Sequence, residues 1–373
     1  MTAQREAPGR TGAPAGPGPG AVPGRRIGGL DLARGLAVLG MFGAHLGDTG
    51  DLGWDPATWR SLVDGRSSIL FATLAGISVA LLSGGRTRLD GRDLARARTR
   101  VLVRAAWVFA IGGVLELLDT FVAIILGVYG VLFVLALPFL RWPPARLLLA
   151  AGVVTLAGPP LALAVGQYAT ARGEEDGAFA FLLFTGHYPA AVWLAFVLVG
   201  MAVGRSDLGS ARLRAGLVAG GAAAAVLGYL GGRLSTREFA PGERLAGIET
   251  GFGSSGGWDP AWFAGAEPHS STPFEVVGSG GFAVAVVGVC LVLADLLPRL
   301  TYPLASVGAL ALSVYTAQIV AIRVVDADYA ADWGLWVRFS LSAVLLATVW
   351  RLRLGRGPLE RLLTWSSQRA AGP

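Results

Sequence analysis

Apolar runs long enough to cross a bilayer recur from residue 29 almost to the C-terminus, and they leave little chain for anything else. A spanning helix needs about 20 mostly apolar residues. Ten stretches meet this, near residues 29–46, 67–83, 101–118, 122–140, 145–165, 188–204, 213–230, 278–297, 303–322 and 333–350. Only 15% of the 373 residues are charged and the mean hydropathy is +0.58. Soluble domains carry about 25% charged residues. The expected fold is therefore an all-α polytopic membrane protein with about ten transmembrane helices.

Charge orients the spans. Every basic side chain is Arg. With the N-terminus in the cytoplasm, alternation places Arg86, Arg88, Arg92, Arg96, Arg98, Arg100 and Arg104 on the inner side. Arg141, Arg146, Arg205, Arg212, Arg214 and the C-terminal arginines fall there too, while Glu174, Glu175, Asp176, Asp326, Asp328 and Asp332 fall outside. This is the positive-inside pattern, and it predicts both termini in the cytoplasm of a multi-pass plasma-membrane protein. The net charge of +6 thus reflects topology and gives no nucleic-acid signal.

Domain organisation follows. Residues 1–24 are rich in Pro, Gly and Ala and read as a disordered tail. Arg25 and Arg26 precede an apolar stretch like a twin-arginine export signal, but the later spans make the first one an uncleaved anchor. Residues 25–230 read as an N-terminal membrane bundle, 231–277 as an extracytoplasmic loop, 278–363 as a three-helix membrane part and 364–373 as a tail. Cys290, the only cysteine, sits in an apolar run, which argues against thiolate chemistry. No phosphate loop, CxxC or HExxH motif occurs, and no metal is expected.

The first span, "LDLARGLAVLGMFGAHL", carries Asp31, Arg34 and His45. Spacings of three and four put all three on one helical stripe. Arg34 and His45 are separated by about 16 Å along the axis. Ionisable groups in a span face the bundle interior. One reading of Asp31 and Arg34 is an ion pair at the membrane boundary. The other is a mouth where the phosphates of an anionic donor dock, with its reactive end reaching towards His45, a group able to act as base near neutrality.

All three histidines, His45, His187 and His269, fall at or near the outer face in this topology. Three pairs compete for an oriented base: His269 with Glu275, His45 with Asp48, and His187 with Tyr188. Arg66 and Arg323 lie near outer span ends, where they would snorkel to the interface or bind an anionic acceptor. Trp258 and Trp262 in the long loop would anchor at the interface or stack on a sugar.

The first-span sequence resembles the first-helix signature of a membrane acyltransferase superfamily. That superfamily includes heparan-alpha-glucosaminide N-acetyltransferase, the acyltransferase-3 sugar O-acetylases and the YeiB-like bacterial proteins. "GRSSILFATLAGISVALL" at 65–82, "YGVLFVLALPFLR" at 129–141, "TGHYPAAVWLAFVLVGMAVGR" at 185–205, "PLASVGALALSVYTAQ" at 303–318 and "GPLERLL" at 357–363 resemble an actinobacterial YeiB-like branch. The resemblance implies transfer of an acetyl group from cytoplasmic acetyl-CoA to an extracytoplasmic sugar or lipid-linked glycan. It matches His45 and Arg34 to the first-helix histidine and arginine of the acyltransferase-3 pattern. The heparan enzyme's key histidine lies in the loop after the first helix; residues 47–66 here hold no histidine. The expected site is therefore His45, His269 and Glu275 for catalysis, Arg34 and Asp31 for the donor, and Arg66, His187, Trp258 and Trp262 for the acceptor, with membrane lipid around them. A transporter or flippase for a small solute or lipid precursor is the alternative, since intramembrane charges and Gly-interrupted helices suit that class too.

Overall fold

The computed structural model describes residues 27–47, 55–172, 177–239, 260–327 and 332–372. Among these residues the chain is helical and contains no strand. In order come α1 (Gly28–Leu46), α2 (Arg66–Leu82), α3 (Gly91–Glu116), α4 (Leu126–Leu135), α5 (Pro144–Arg172) and α6 (Ala190–Gly204). They are followed by α7 (Ala211–Phe239), α8 (Pro273–Leu296), α9 (Pro298–Ala309), α10 (Ala311–Val324), α11 (Trp333–Leu354) and α12 (Pro358–Ala371). A 3-10 turn at Pro56–Val63 precedes α2, and a wide π turn at Phe181–Thr185 precedes α6.

Five of the described helices are long and apolar enough to cross a membrane. Two bent pairs, Ala178–Thr185 with α6 at 54° and α9 with α10 at 69°, raise the number to seven when each pair counts as one span. The other expected spans are α1, α3 and α4. Asp31, Arg34 and His45 lower the hydropathy of α1, arginines fill the first half of α3, and α4 has only ten residues.

Burial ranks the helices. The window containing α2 is 78% buried inside the protein and that of α11 only 6%. Apolar side chains cover α11 all the same: Leu341, Leu345 and Leu346 are exposed. Exposed leucines on a span-length helix face lipid. The helix α1 packs against α2, α8, α9 and α11, so its polar side chains lie inside the bundle.

Close backbone contact holds the centre together. A Cβ added at Gly200 would collide with the carbonyl of Thr73, and one at Gly76 with the carbonyl of Val197. The helices α2 and α6 thus touch backbone to backbone, a contact that only small residues permit. Gly200→Leu is expected to cost on the order of 3 kcal/mol, read as loss of monodisperse protein in detergent and a lower Tm.

Some segments depart from the sequence reading. The helix α7 runs to Phe239, past the expected bundle edge at 230. Residues 260–272, expected as loop, are partly built into the protein, with Ala261, Ala264, Ser271 and Thr272 buried. The helix α12 takes in most of the expected tail at 364–373 and packs on α3. The Pro/Gly-rich segment 1–24 lies outside the described residues.

Candidate active site

Two polar regions occupy opposite ends of α1. At the Arg-rich end lies a cavity of about 730 Å³. It is walled by α1, α2, α3, α4, α10 and α12, and Arg34, Arg104, Arg356 and Glu360 line it. The Arg34 guanidinium donates to Asp31 at 2.9 Å and to the Ser78 hydroxyl at 2.9 Å. Asp31 is buried and also faces Arg351 at 3.6 Å. The expected ion pair forms, and both its members line the cavity.

The remaining arginines give the cavity its character. Arg104 reaches the Ser367 hydroxyl at 3.5 Å and lies within the fields of Arg34, Arg100 and Arg356. Like charges this close repel unless an anion sits among them. Glu360 does not neutralise them by contact. Its carboxylate accepts the main-chain N–H groups of Leu312 and Ser313 at 2.9 and 3.1 Å and the Ser313 hydroxyl at 2.6 Å. It is bound to the first turn of α10, where a negative charge meets the helix dipole.

Tyr129 and Phe71 close the deep end of the cavity, their rings stacked 5.5 Å apart. The Tyr129 hydroxyl donates to the carbonyl of Ser68 at 2.9 Å. Beyond it, within electrostatic reach, are Tyr188 and Tyr315. These belong to the second region, which gathers all three histidines.

The break between the π turn and α6 presents His187 and Tyr188. The His187 and His269 rings lie 4.2 Å apart, and Tyr188 meets His269 edge-on at 5.4 Å. His45, at the last turn of α1, contacts the Gln318 side-chain oxygen at 3.3 Å through Nδ1 and meets Tyr315 edge-on at 6.3 Å. It lies within electrostatic range of His269.

The carboxylate partner of His269 is Asp64, whose Oδ1 is 3.7 Å from Nε2. Glu275 also lies within electrostatic reach of His269. Glu275 is buried and accepts the main-chain N–H groups of His269 and Ser271 at 2.7 and 2.6 Å. Both residues have positive φ, 63° and 54°, a region costly for side chains other than Gly. Glu275 therefore holds the strained loop that presents the imidazole. Glu275→Ala would strand buried N–H groups and cost on the order of 3 kcal/mol, measurable as a lower Tm. Glu275→Gln, which keeps an acceptor oxygen, is expected to cost less.

Other expected contacts resolve differently. Arg66 is buried, donating from Nε to the Tyr229 hydroxyl at 2.7 Å and from a guanidinium nitrogen to the Ser61 carbonyl at 3.0 Å. It thereby ties α2 to α7, beside Ser279 of α8, which bonds the same tyrosine at 3.0 Å. Trp262 is half-buried in the short turn Pro260–Phe263, which packs on α7. Trp258 and Asp48 lie outside the described residues. Among the described residues no group of three or more His, Cys, Asp or Glu side chains is placed to hold a metal ion.

Residues 26–235 match the family model described as heparan-alpha-glucosaminide N-acetyltransferase, catalytic. The chain belongs to this family. No curated protein sequence matches it significantly. Membership in an acetyltransferase family and several span-length apolar helices make this a membrane protein of the transferase class. The match takes in Arg34, His45, Asp64, Arg104, Tyr129 and His187. His269, Glu275, Gln318, Arg356 and all of α12 lie beyond it, so both polar regions are completed by residues outside the family segment.

Sequence reading missed Asp64, Gln318 and Tyr315 because nothing local links them to a histidine. It noted Arg104 only for topology. A signal existed for α12: Leu359, Leu362 and Leu363 recur at helical spacing among polar residues.

Proposed function

We propose that the protein is a plasma-membrane acyltransferase with ten spans and cytoplasmic termini. It moves an acetyl group from cytoplasmic acetyl-CoA to an amine or hydroxyl of an extracytoplasmic sugar or lipid-linked glycan. The observation that carries this reading is the placement of a cationic cavity and a histidine cluster at the two ends of α1, with Tyr129 between them. The phosphates of the donor would lie among Arg34, Arg104 and Arg356, where bidentate and charge-assisted bonds favour them. The flexible thioester arm would extend about 16 Å along α1 to the histidines.

At the histidine end the acceptor nitrogen or oxygen attacks the thioester carbonyl. A C–N or C–O bond forms, the C–S bond breaks, and CoA leaves as its thiolate. The acceptor proton passes to the His269 imidazole, whose Nε2 stands 3.7 Å from Asp64, near enough for the carboxylate to stabilise the ring's positive charge. His45 and His187 flank this position.

The test is acetyl-CoA binding by calorimetry on detergent-solubilised protein, followed by transfer of labelled acetyl to glucosamine. Saturable binding, weakened by Arg34→Ala and retained by His45→Ala, is the expected result. A folded wild type that binds no acetyl-CoA overturns the reading and turns attention to transport.

A further inference from the structure

The buried stripe of α10 is Ala311, Tyr315, Gln318, Ile319 and Ile322, the spacing of one helical face. Two members of that stripe are polar. Tyr315 and Gln318 are each 3% exposed. Burying a hydroxyl or an amide costs free energy unless a partner replaces water. Here the replacement is incomplete. Among the described residues the Gln318 amide nitrogen has no hydrogen-bond partner, and the Tyr315 hydroxyl has none beyond the main chain of Ile125.

What the two side chains share is His45. The helix α10 leaves α9 at a bend of 69° and packs against α1. Its Gln318 side-chain oxygen faces Nδ1 of His45 at 3.3 Å, and Tyr315 meets the same ring edge-on. An amide oxygen only accepts, so the proton of this contact belongs to Nδ1. A neutral imidazole has one N–H, which leaves Nε2 as a bare acceptor. His45 is partly exposed, whereas Gln318 is sealed from solvent.

A glutamine held by one contact, with its nitrogen unsatisfied, is a poor structural element. An unpaired buried amide group costs about 1–3 kcal/mol. A methionine of the same length would fill the space without that cost. The one thing Gln318 does that an apolar side chain would not is decide which nitrogen of His45 carries the proton. The reverse arrangement, the amide nitrogen donating to a bare Nδ1, would put the proton on Nε2 and leave the amide oxygen unpaired.

We infer that Gln318 is a positioning residue for the transfer: it fixes His45 as the Nδ1–H tautomer, so that Nε2 receives a hydrogen bond from the acceptor, a role that rests on the acyltransferase reading above. A sugar carries several O–H or N–H groups. One gives its proton to His269 as it attacks. A second donates a hydrogen bond to Nε2 of His45 and keeps its proton. Two fixed rings then hold the nucleophile in one orientation, where a single ring would let it turn. No covalent bond is made or broken at His45.

The experiment uses the full chain in detergent with nitrogen-labelled histidine. The chain has 3 histidines, so ring-nitrogen NMR shows one pair of signals for each, and the pair lost in His45→Gln belongs to His45. At neutral pH the wild type is expected to show His45 with its proton on Nδ1. Gln318→Met, which keeps the length and removes the amide, is expected to move the proton to Nε2. The same variant is expected to lose about tenfold in kcat/KM for acetyl transfer to glucosamine, the worth of one hydrogen bond. Its affinity for acetyl-CoA stays unchanged, and its Tm stays level or rises, because an unpaired amide has gone. A wild type with the proton on Nε2, or a tautomer that is the same in Gln318→Met, overturns the inference. A lower Tm together with weaker acetyl-CoA binding makes Gln318 a packing residue and overturns it as well. The ring signals need no substrate. A wild type that shows the expected tautomer yet neither binds acetyl-CoA nor transfers acetyl sinks the acyltransferase reading instead, and the role of Gln318 towards the acceptor falls with it.

Discussion

Replacing His269 by Asn lowers acetyl transfer by about 10²–10⁴-fold and leaves acetyl-CoA affinity unchanged. Asn is the informative replacement because residue 269 has φ of 63°, and Asn tolerates the left-handed region better than most residues. The loop held by Glu275 therefore keeps its shape while the base is lost. The arginine-lined cavity lies beyond Tyr129, so calorimetry with acetyl-CoA reports an intact donor site. Asp64→Asn removes the negative partner of the same ring and is expected to lower kcat, with a smaller effect on the KM for the donor. Transfer at wild-type rate in His269→Asn would eliminate this histidine as base and leave His45 and His187.

Arg104→Gln is expected to separate binding from stability. In the free protein Arg104 stands among Arg34, Arg100 and Arg356, and its contact with Ser367 is long, at 3.5 Å. Removing the charge relieves repulsion, so the Tm of the ligand-free protein stays level or rises. Acetyl-CoA affinity falls by on the order of tenfold to a hundredfold, the value of a charge-assisted bond. Arg34→Gln is different, because it also deprives buried Asp31 of a partner at 2.9 Å and should lower the Tm. A structural Arg104 would lower Tm and affinity together, and that outcome would remove it from the donor site.

Hydropathy was enough to find the long apolar helices. The expected spans 67–83, 145–165, 213–230, 278–297 and 333–350 fall on α2, α5, α7, α8 and α11, with most edges a few residues off. Apolar side chains dominate those segments, whether they face lipid, as on α11, or the protein interior, as on α2. The breaks were less legible. Pro189 marks the bend before α6 in hindsight, but the bend between α9 and α10 falls at Leu310, in a continuous apolar run. The stripe of Asp31, Arg34 and His45 could be read because it lies on one helix. The meeting of Asp64 with His269, more than two hundred residues apart, depends on how α1, α2 and α8 assemble. Local spacing offered Glu275 as one of three competing pairings, and its carboxylate takes the main-chain N–H of His269 while staying within electrostatic reach of the ring.

The glycine contacts along α7 and α8 carry a mechanical consequence. Gly228 presses on Gly278, and Gly221 on Gly281 and Ala285, with no side chain between. Sliding either helix by one residue would drive a Cβ into the opposite backbone. The two therefore translate as one stiff plank. Elsewhere on α7 a Cβ added at Gly216 or Gly220 would meet nothing within 4 Å, and the same holds at Gly152 of α5. The steric stop that couples α7 to α8 is thus absent between α7 and α5 at these positions, and only side chains there resist sliding.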